Sequence, residues 1–384
     1  MVYLVAVIGL GVLIFVHELG HFLVAKWNNV GVVAFAIGFG PKIFSKKVGE
    51  TEYSLRIIPL GGYVRMVGDD PRELDPEWEG GRFGNDLIEG KEDSSTELSA
   101  EERALLEDRS RWFLTQGFWA KAAIVIAGPL ANYLFAIVLA VASIWLYGIN
   151  ELIDQPVIAR VMEGEPAQQA GIEDGDRVLL VDGNEVETWT ELASRIADSE
   201  GQPLELLIER SGAVVEPIEV RAVDVSDRMP QSEDGKKIYK IGIAPTFERM
   251  SVGVGEAFSG GAKFVWFLTE RTVQGFAGML MGAISPKHLA GPIFIFTEAG
   301  KSAEQGADSF LSFIVFLSVT LAILNLLPIP ILDGGHLLFF IIEALTGSPL
   351  SIRVREISSQ VGALMLLLLI LVSVGNDVMR LVSG

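Results

Sequence analysis

Two histidines four residues apart flank a glutamate in the segment His17-Glu18-Leu19-Gly20-His21. On a helix, positions i and i+4 share one face, so both imidazoles reach one Zn²⁺, and Glu18 lies beside them as general base for an attacking water. The plain alternative is a chance His-Glu pair at a helix end. The setting argues against it: no charged residue precedes Glu18, and a carboxylate inside a membrane-length apolar run costs at least ~2.5 kcal/mol and marks function.

Two histidines do not complete a catalytic zinc site, which takes a third protein ligand and keeps one open position. The chain has no Cys and only four His, at 17, 21, 288 and 336. The absence of Cys excludes disulfides, Cys-ligated zinc and thiol catalysis. The remaining candidates are His288, His336 and the acids of the apolar segments. Asp333 is the strongest, in the stretch from Asn325 through Pro328 and Pro330 to Asp333-Gly334-Gly335-His336. Its two prolines break a helix just past a hydrophobic run, and the paired glycines permit close backbone approach. His336 is the runner-up, better suited to a supporting polar role, and His288 reads as a loop histidine.

These residues need apolar elements to position them. The first run, from Met1 through Val24, is about one membrane span and lacks the basic start and small-residue cleavage site of a signal peptide. Three more spans are expected: Ala122 to Leu146, interrupted by Gly128-Pro129 and Asn132; Phe310 to Leu327, ending at Pro328; and Val361 to Val374, extending toward Leu381. Gly128-Pro129 and Asn132 read as packing and kink features, with support of the metal site as the alternative for Asn132. Lys26, Lys42, Lys46 and Lys47 follow the first span, and Arg353 and Arg355 precede the last. The positive-inside rule then puts residues 28–117 and 329–360 in the cytoplasm, and both termini and residues 148–308 outside.

Two segments stand apart from the spans. Gly253 to Ile284 carries Glu256, Lys263, Glu270 and Arg271 at roughly helical spacing, which predicts an amphipathic helix on the outer surface, with a fifth span as the alternative. Thr51 to Gly68 alternates around Pro59-Leu60-Gly61-Gly62 and predicts a hairpin, over about 52–68, lying beside the membrane or solvated in the cytoplasm, two readings the residues support equally. Residues 154–222 change character to short strands, turns at Asp182-Gly183 and Ser211-Gly212, and two helices, which is a compact β-rich domain. The domain plan is thus an N-terminal membrane portion (1–147) holding the hairpin and an acidic cytoplasmic segment (69–109), the β-rich domain (154–222), a connecting region (223–308) and a C-terminal membrane portion (309–384).

Charge follows this plan. The 384 residues are half hydrophobic yet carry a formal net charge of -19. Residues 69–109 hold 15 acids against 5 bases, and residues 154–222 hold 16 against 5, so the rest of the chain is nearly neutral. A disordered chain, an ordinary soluble enzyme and a nucleic-acid binder are all poor fits to this balance. A polytopic α-helical membrane protein of about four spans, with a membrane-associated β-hairpin and an extracytoplasmic β-rich domain, fits it.

The HELGH segment, Gly128-Pro-Leu-Ala-Asn132 and Asn325 to Gly335 together resemble the site-two protease family of intramembrane zinc metalloproteases, in its bacterial branch of the regulator of sigma-E protease type. The likeness covers the whole chain. The stretch from Ala170 to Gly183 resembles a bacterial PDZ domain. The resemblance implies one catalytic zinc held by His17, His21 and Asp333, with Glu18 as catalytic acid and base. It further implies that Asn325 positions the substrate backbone and that the hairpin, with Tyr53, Leu55, Tyr63 and Met66, meets the substrate. A single PDZ-like domain departs from the tandem pair usual in Gram-negative members.

The expected function is cleavage of transmembrane segments of single-pass proteins at the bacterial inner membrane after a first outer-side cut, with an anti-sigma factor and remnant signal peptides as substrates. The rival is a non-catalytic PDZ-containing membrane adaptor. Counted from Val2, His17 lies about 22 Å along the first helix, near the cytoplasmic face of a ~30 Å apolar core, where water has a short way in. A helical substrate must unwind to expose its peptide bond, and a hairpin edge supplies partners for the freed backbone by β-addition. The PDZ-like domain has two readings: a C-terminus bound near Thr190 to Ala197, or a size filter against bulky outer domains, with the filter favoured.

Overall fold

The computed structural model describes residues 2–70, 104–105, 107–226, 237–285 and 289–383. Most of the acidic segment 69–109, and His288, lie outside the described residues. Two compact units divide the chain: residues 1–146 with 253–384, and residues 147–252.

In the first unit, α1 (Val2–Trp27) is apolar up to Glu18 and ends where Asn29 takes a left-handed conformation at φ 58, the usual stop for an Asn just past a helix. Two long strands follow, β1 (Val32–Val48) and β2 (Thr51–Met66). The expected hairpin about Pro59 to Gly62 is not what forms. The halves of β2 do not fold on each other; both pair with β1. Phe35 lies beside Tyr53 and Val64, Ala36 beside Ser54 and Tyr63, and Ile37 beside Leu55 and Gly62, while Val48 meets Thr51 at the tight turn. The outcome is a curled sheet whose edge runs over residues 62–66. Alternation located the extended segments but not their partners, and the bends at Gly38 and Gly61, with φ 89 and 120, decide the pairing. Inside the curl the buried Arg56 donates to the Gly40 carbonyl at 2.9 Å and the Tyr63 hydroxyl at 2.7 Å, stapling its two arms.

The next helix, α2 (Phe118–Tyr147), carries Pro129 in its interior. In the second unit, residues 177–181 pair with 203–210, and 218–221 add to the same sheet, while α3 (Trp189–Asp198) lays Trp189, Leu192 and Ile196 on its core. Asp182-Gly183 and Ser211-Gly212 all have positive φ, as tight hairpin turns require. The unit is wider than the expected 154–222. Residues 149–152 pair with 247–250, and 158–161 with 243–245, so strands from beyond residue 222 close it.

Back in the first unit, α4 (Val254–Leu280) is the helix expected at Gly253 to Ile284, but it does not stand apart from the spans. It packs lengthwise on α2: Gly261 against Val141, Val265 against Ala136 and Ala140, and the Thr269 hydroxyl 3.0 Å from that of Tyr133. Gly260 and Gly261 permit this approach, and the charged face is left exposed. Further helices are α5 (Pro292–Gln305), α6 (Ala307–Asn325), α7 (Asp333–Thr346) and α8 (Ile352–Ser383). Asp377 of α8 accepts from the Gly291 and Phe294 amides, capping α5 from a neighbouring helix. Among the described residues four helices, α1, α2, α6 and α8, are long and apolar enough to cross a membrane, in the order and number expected. Arg353 and Arg355, expected between spans, lie in the first turns of α8.

Candidate metal centre

Every functional side chain is set by a local feature of its helix. His17 and His21 are one turn apart on α1. Gly20 and Gly128 bring α1 and α2 together so closely that a Cβ on Gly20 would meet the Ala127 carbonyl oxygen at 2.3 Å. The His21 Nδ1 lies 2.8 Å from the Ile124 carbonyl of α2, so it carries the ring proton and leaves Nε2 free to face the site. Between α6 and α7, Pro328 and Pro330 turn the chain back. Gly334 and Gly335 press against the carbonyls of Leu326, Leu327 and Ile329, where any Cβ would collide at 2.2–2.3 Å. That fold-back places Asp333 at the first turn of α7, beside the histidines.

The three groups converge. His17 Nε2 lies 3.3 Å and His21 Nε2 3.5 Å from Asp333 Oδ2, and the two imidazole nitrogens are 3.2 Å apart. The three side chains form the group suited to hold a metal ion among the described residues. Asp333 Oδ2 is buried and accepts no hydrogen bond. A buried carboxylate oxygen without a partner, facing two imidazole nitrogens, is what a cation would satisfy. Two imidazole nitrogens and one carboxylate oxygen form a donor set of the catalytic-zinc kind, with a fourth position left over.

A cavity of about 790 Å³ surrounds the cluster and is lined by Glu18, Tyr63, Met66, Asn325 and His336 among others. Glu18 is fitted closely, since a Cβ on Gly62 would stand 2.9 Å from its Cγ. Of the expected hairpin residues, Tyr63 and Met66 line the cavity. Tyr53 instead packs its ring on Phe22 and Phe35 at 5.9 and 6.0 Å, and Leu55 is exposed. His336 lines the cavity with its ring edge-on to Phe339, outside the metal-suited group. Sequence reasoning missed the Ile124 carbonyl, Gly62, and the cavity wall made by Arg355, Glu356, Ser359 and Gln360 of α8. The last had a signal: polar residues at helical spacing ahead of a long apolar run. The first two had none, because any residue carries a carbonyl and glycines are common in turns.

The model of peptidase family M50 matches residues 5–369. The chain belongs to peptidase family M50. It is 33% identical over 415 residues to the zinc metalloprotease RasP of Geobacillus kaustophilus, with 96% of each chain covered. It is 29% identical over 419 residues to the regulator of sigma-W protease RasP of Bacillus subtilis, covering 97% of this chain and 96% of that one. With the His-His-Asp cluster, this M50 membership makes the protein an intramembrane zinc metalloprotease of the regulated intramembrane proteolysis type. It is a multi-pass membrane protein carrying a PDZ-like, extracytoplasmic β-rich domain, and its substrates are membrane proteins. The non-catalytic adaptor is set aside.

Proposed function

We propose that this M50 protease is a zinc endopeptidase of the bacterial inner membrane that cuts the transmembrane segments of single-pass proteins already shortened on the outer side. One observation carries the assignment of its site: His17, His21 and the unpartnered Asp333 oxygen converge within 3.5 Å in the cavity that also holds Glu18. In this reading His17, His21 and Asp333 hold one zinc, which when bound supplies Lewis acidity to the scissile carbonyl and acidifies water. Glu18 takes the proton of the attacking water and returns it to the leaving amine. Gly62 holds the glutamate against the sheet edge, so that the proton moves over a short, fixed path.

Asn325, at the end of α6 and on the cavity wall, offers its amide to the substrate backbone. An unwound stretch of substrate needs partners for its N–H and C=O groups inside the membrane. The edge at residues 62–66, with Tyr63 and Met66 on the cavity, supplies them as an added strand would be held; Tyr53 and Leu55 support the sheet from its far side. The β-rich unit acts as a size filter on the outer side. By likeness to a regulator of sigma-W protease, the substrates include an anti-sigma factor, and remnant signal peptides share the required single-span form. The test compares zinc content and cleavage of a transmembrane reporter between wild type and Glu18→Gln; equal cleavage by both rejects the mechanism.

A further inference from the structure

The Asn132 side chain is fully buried beside the metal-suited cluster. Its amide nitrogen lies 3.4 Å from His17 Nδ1, the ring nitrogen turned away from Asp333. Its amide oxygen is buried and has no hydrogen-bond partner. Its backbone is fixed, because the Ser318 hydroxyl of α6 donates to the Asn132 carbonyl at 2.8 Å, and Ser318 is itself fully buried. One residue of α2 thus connects α6 to His17 of α1.

These facts meet a constraint from imidazole chemistry. A His17 whose Nε2 lone pair is committed to a metal carries its proton on Nδ1, and that N–H then needs an acceptor. Facing it with the Asn132 NH₂ group would set donor against donor. Half a turn of the amide exchanges its nitrogen and oxygen, which are sterically alike, and brings the unpartnered Oδ1 onto Nδ1–H. We infer that Asn132 is the positioning residue of His17: its amide oxygen accepts from Nδ1–H in the metal-loaded protein, and its NH₂ donates to Nδ1 in the metal-free tautomer. His21 needs no such device, because the Ile124 carbonyl only accepts and fixes one tautomer permanently. The two ligands are therefore held differently, one by an unvarying backbone oxygen and one by a side chain able to serve both states. Pinning by Ser318 leaves the amide rotation as the only freedom the residue needs.

This inference rests on His17 being a metal ligand, and the experiment separates the two. Full-length protein in detergent is stripped of metal, and its zinc affinity is measured by competition with a chromophoric chelator, alongside the visible spectrum of the Co²⁺ form. Wild type binding no metal would reject the ligand assignment itself. With wild type binding one equivalent, Asn132→Ala is expected to weaken zinc about 10–100-fold, the usual loss when a ligand's hydrogen-bond partner is removed, and to shift the Co²⁺ bands. Asn132→Asp, which retains only acceptors, is expected to bind within a few-fold of wild type. An alanine variant that binds as tightly as wild type overturns the proposal, as does an aspartate variant as weak as the alanine one. Should the alanine variant fail to fold, the aspartate variant decides alone: retained affinity supports the role, and loss of metal overturns it.

Discussion

Gly128 of α2 lies against the ring of His21 on α1 so closely that a Cβ there would stand 2.2 Å from Nε2, the nitrogen facing Asp333. The glycine is part of the site although it offers no functional group. Its absent side chain is the space the imidazole occupies. Gly128→Val is expected to displace His21, lower bound zinc at least ~10-fold and abolish cleavage. Gly11→Ala, on the same helix α1 with nothing within 4 Å of the added atom, is the control and should behave as wild type. Zinc analysis and a reporter-cleavage assay read both; a Gly128→Val protein with normal metal content refutes the packing argument.

Glu18→Gln removes the proposed proton carrier while keeping size and burial. Cleavage should fall by about 10²–10⁴-fold, the usual contribution of a positioned acid or base, while zinc content stays at the wild-type level. Parallel loss of both would mean that Glu18 holds the site together rather than moving protons.

The sheet edge at residues 62–66 makes a separate prediction. Val64 pairs with Phe35 and sits on the cavity wall. Proline there removes an N–H and distorts the edge, so Val64→Pro should suppress cleavage of a helical transmembrane reporter. A short peptide with no helix to unwind should be affected less. Unchanged cleavage of the transmembrane reporter would remove the edge from the mechanism.

The β-rich unit contains an ion pair between the buried Asp176 and the partly exposed Arg210, with a predictable pH signature. Burial raises the Asp176 pKa, but hydrogen bonds from Arg210, both at 2.8 Å, and from the Glu173 amide outweigh it and hold the carboxyl below its usual range. A depressed carboxylate stabilises the fold fully above its unfolded pKa of ~3.9 and loses that contribution as pH falls toward the folded value. Arg210→Met leaves the buried Asp176 carboxylate without its cation and should lower stability near neutral pH, with the gap to wild type narrowing below about pH 4 as Asp176 takes up a proton. Denaturation followed by the fluorescence of buried Trp189 measures this. A gap independent of pH would assign the effect to packing.

Much of the molecule was legible from local rules. The spans show as long apolar runs with few charges, because a charge held in hydrocarbon is costly. The hairpins at Asp182-Gly183 and Ser211-Gly212 show in dipeptides that tolerate positive φ. The pairing of β2 did not show, since alternation is the same whichever strand lies alongside. Nor did the packing of α4 along α2, where the decisive features were two glycines in a segment whose charges suggested a surface.

Periodicity and the points where helices must stop supply the donor types along the chain: two imidazoles on one helix face, a glutamate between them, and an aspartate after a proline-broken helix. That these side chains meet follows only from the folded chain. His17 and Asp333 are more than three hundred residues apart, and their 3.3 Å approach depends on missing side chains at Gly20, Gly128, Gly334 and Gly335 and on backbone carbonyls at Ile124 and Leu326. Such features carry no chemical label in a sequence, because a carbonyl belongs to every residue and an absent Cβ acquires meaning only once something is packed against it.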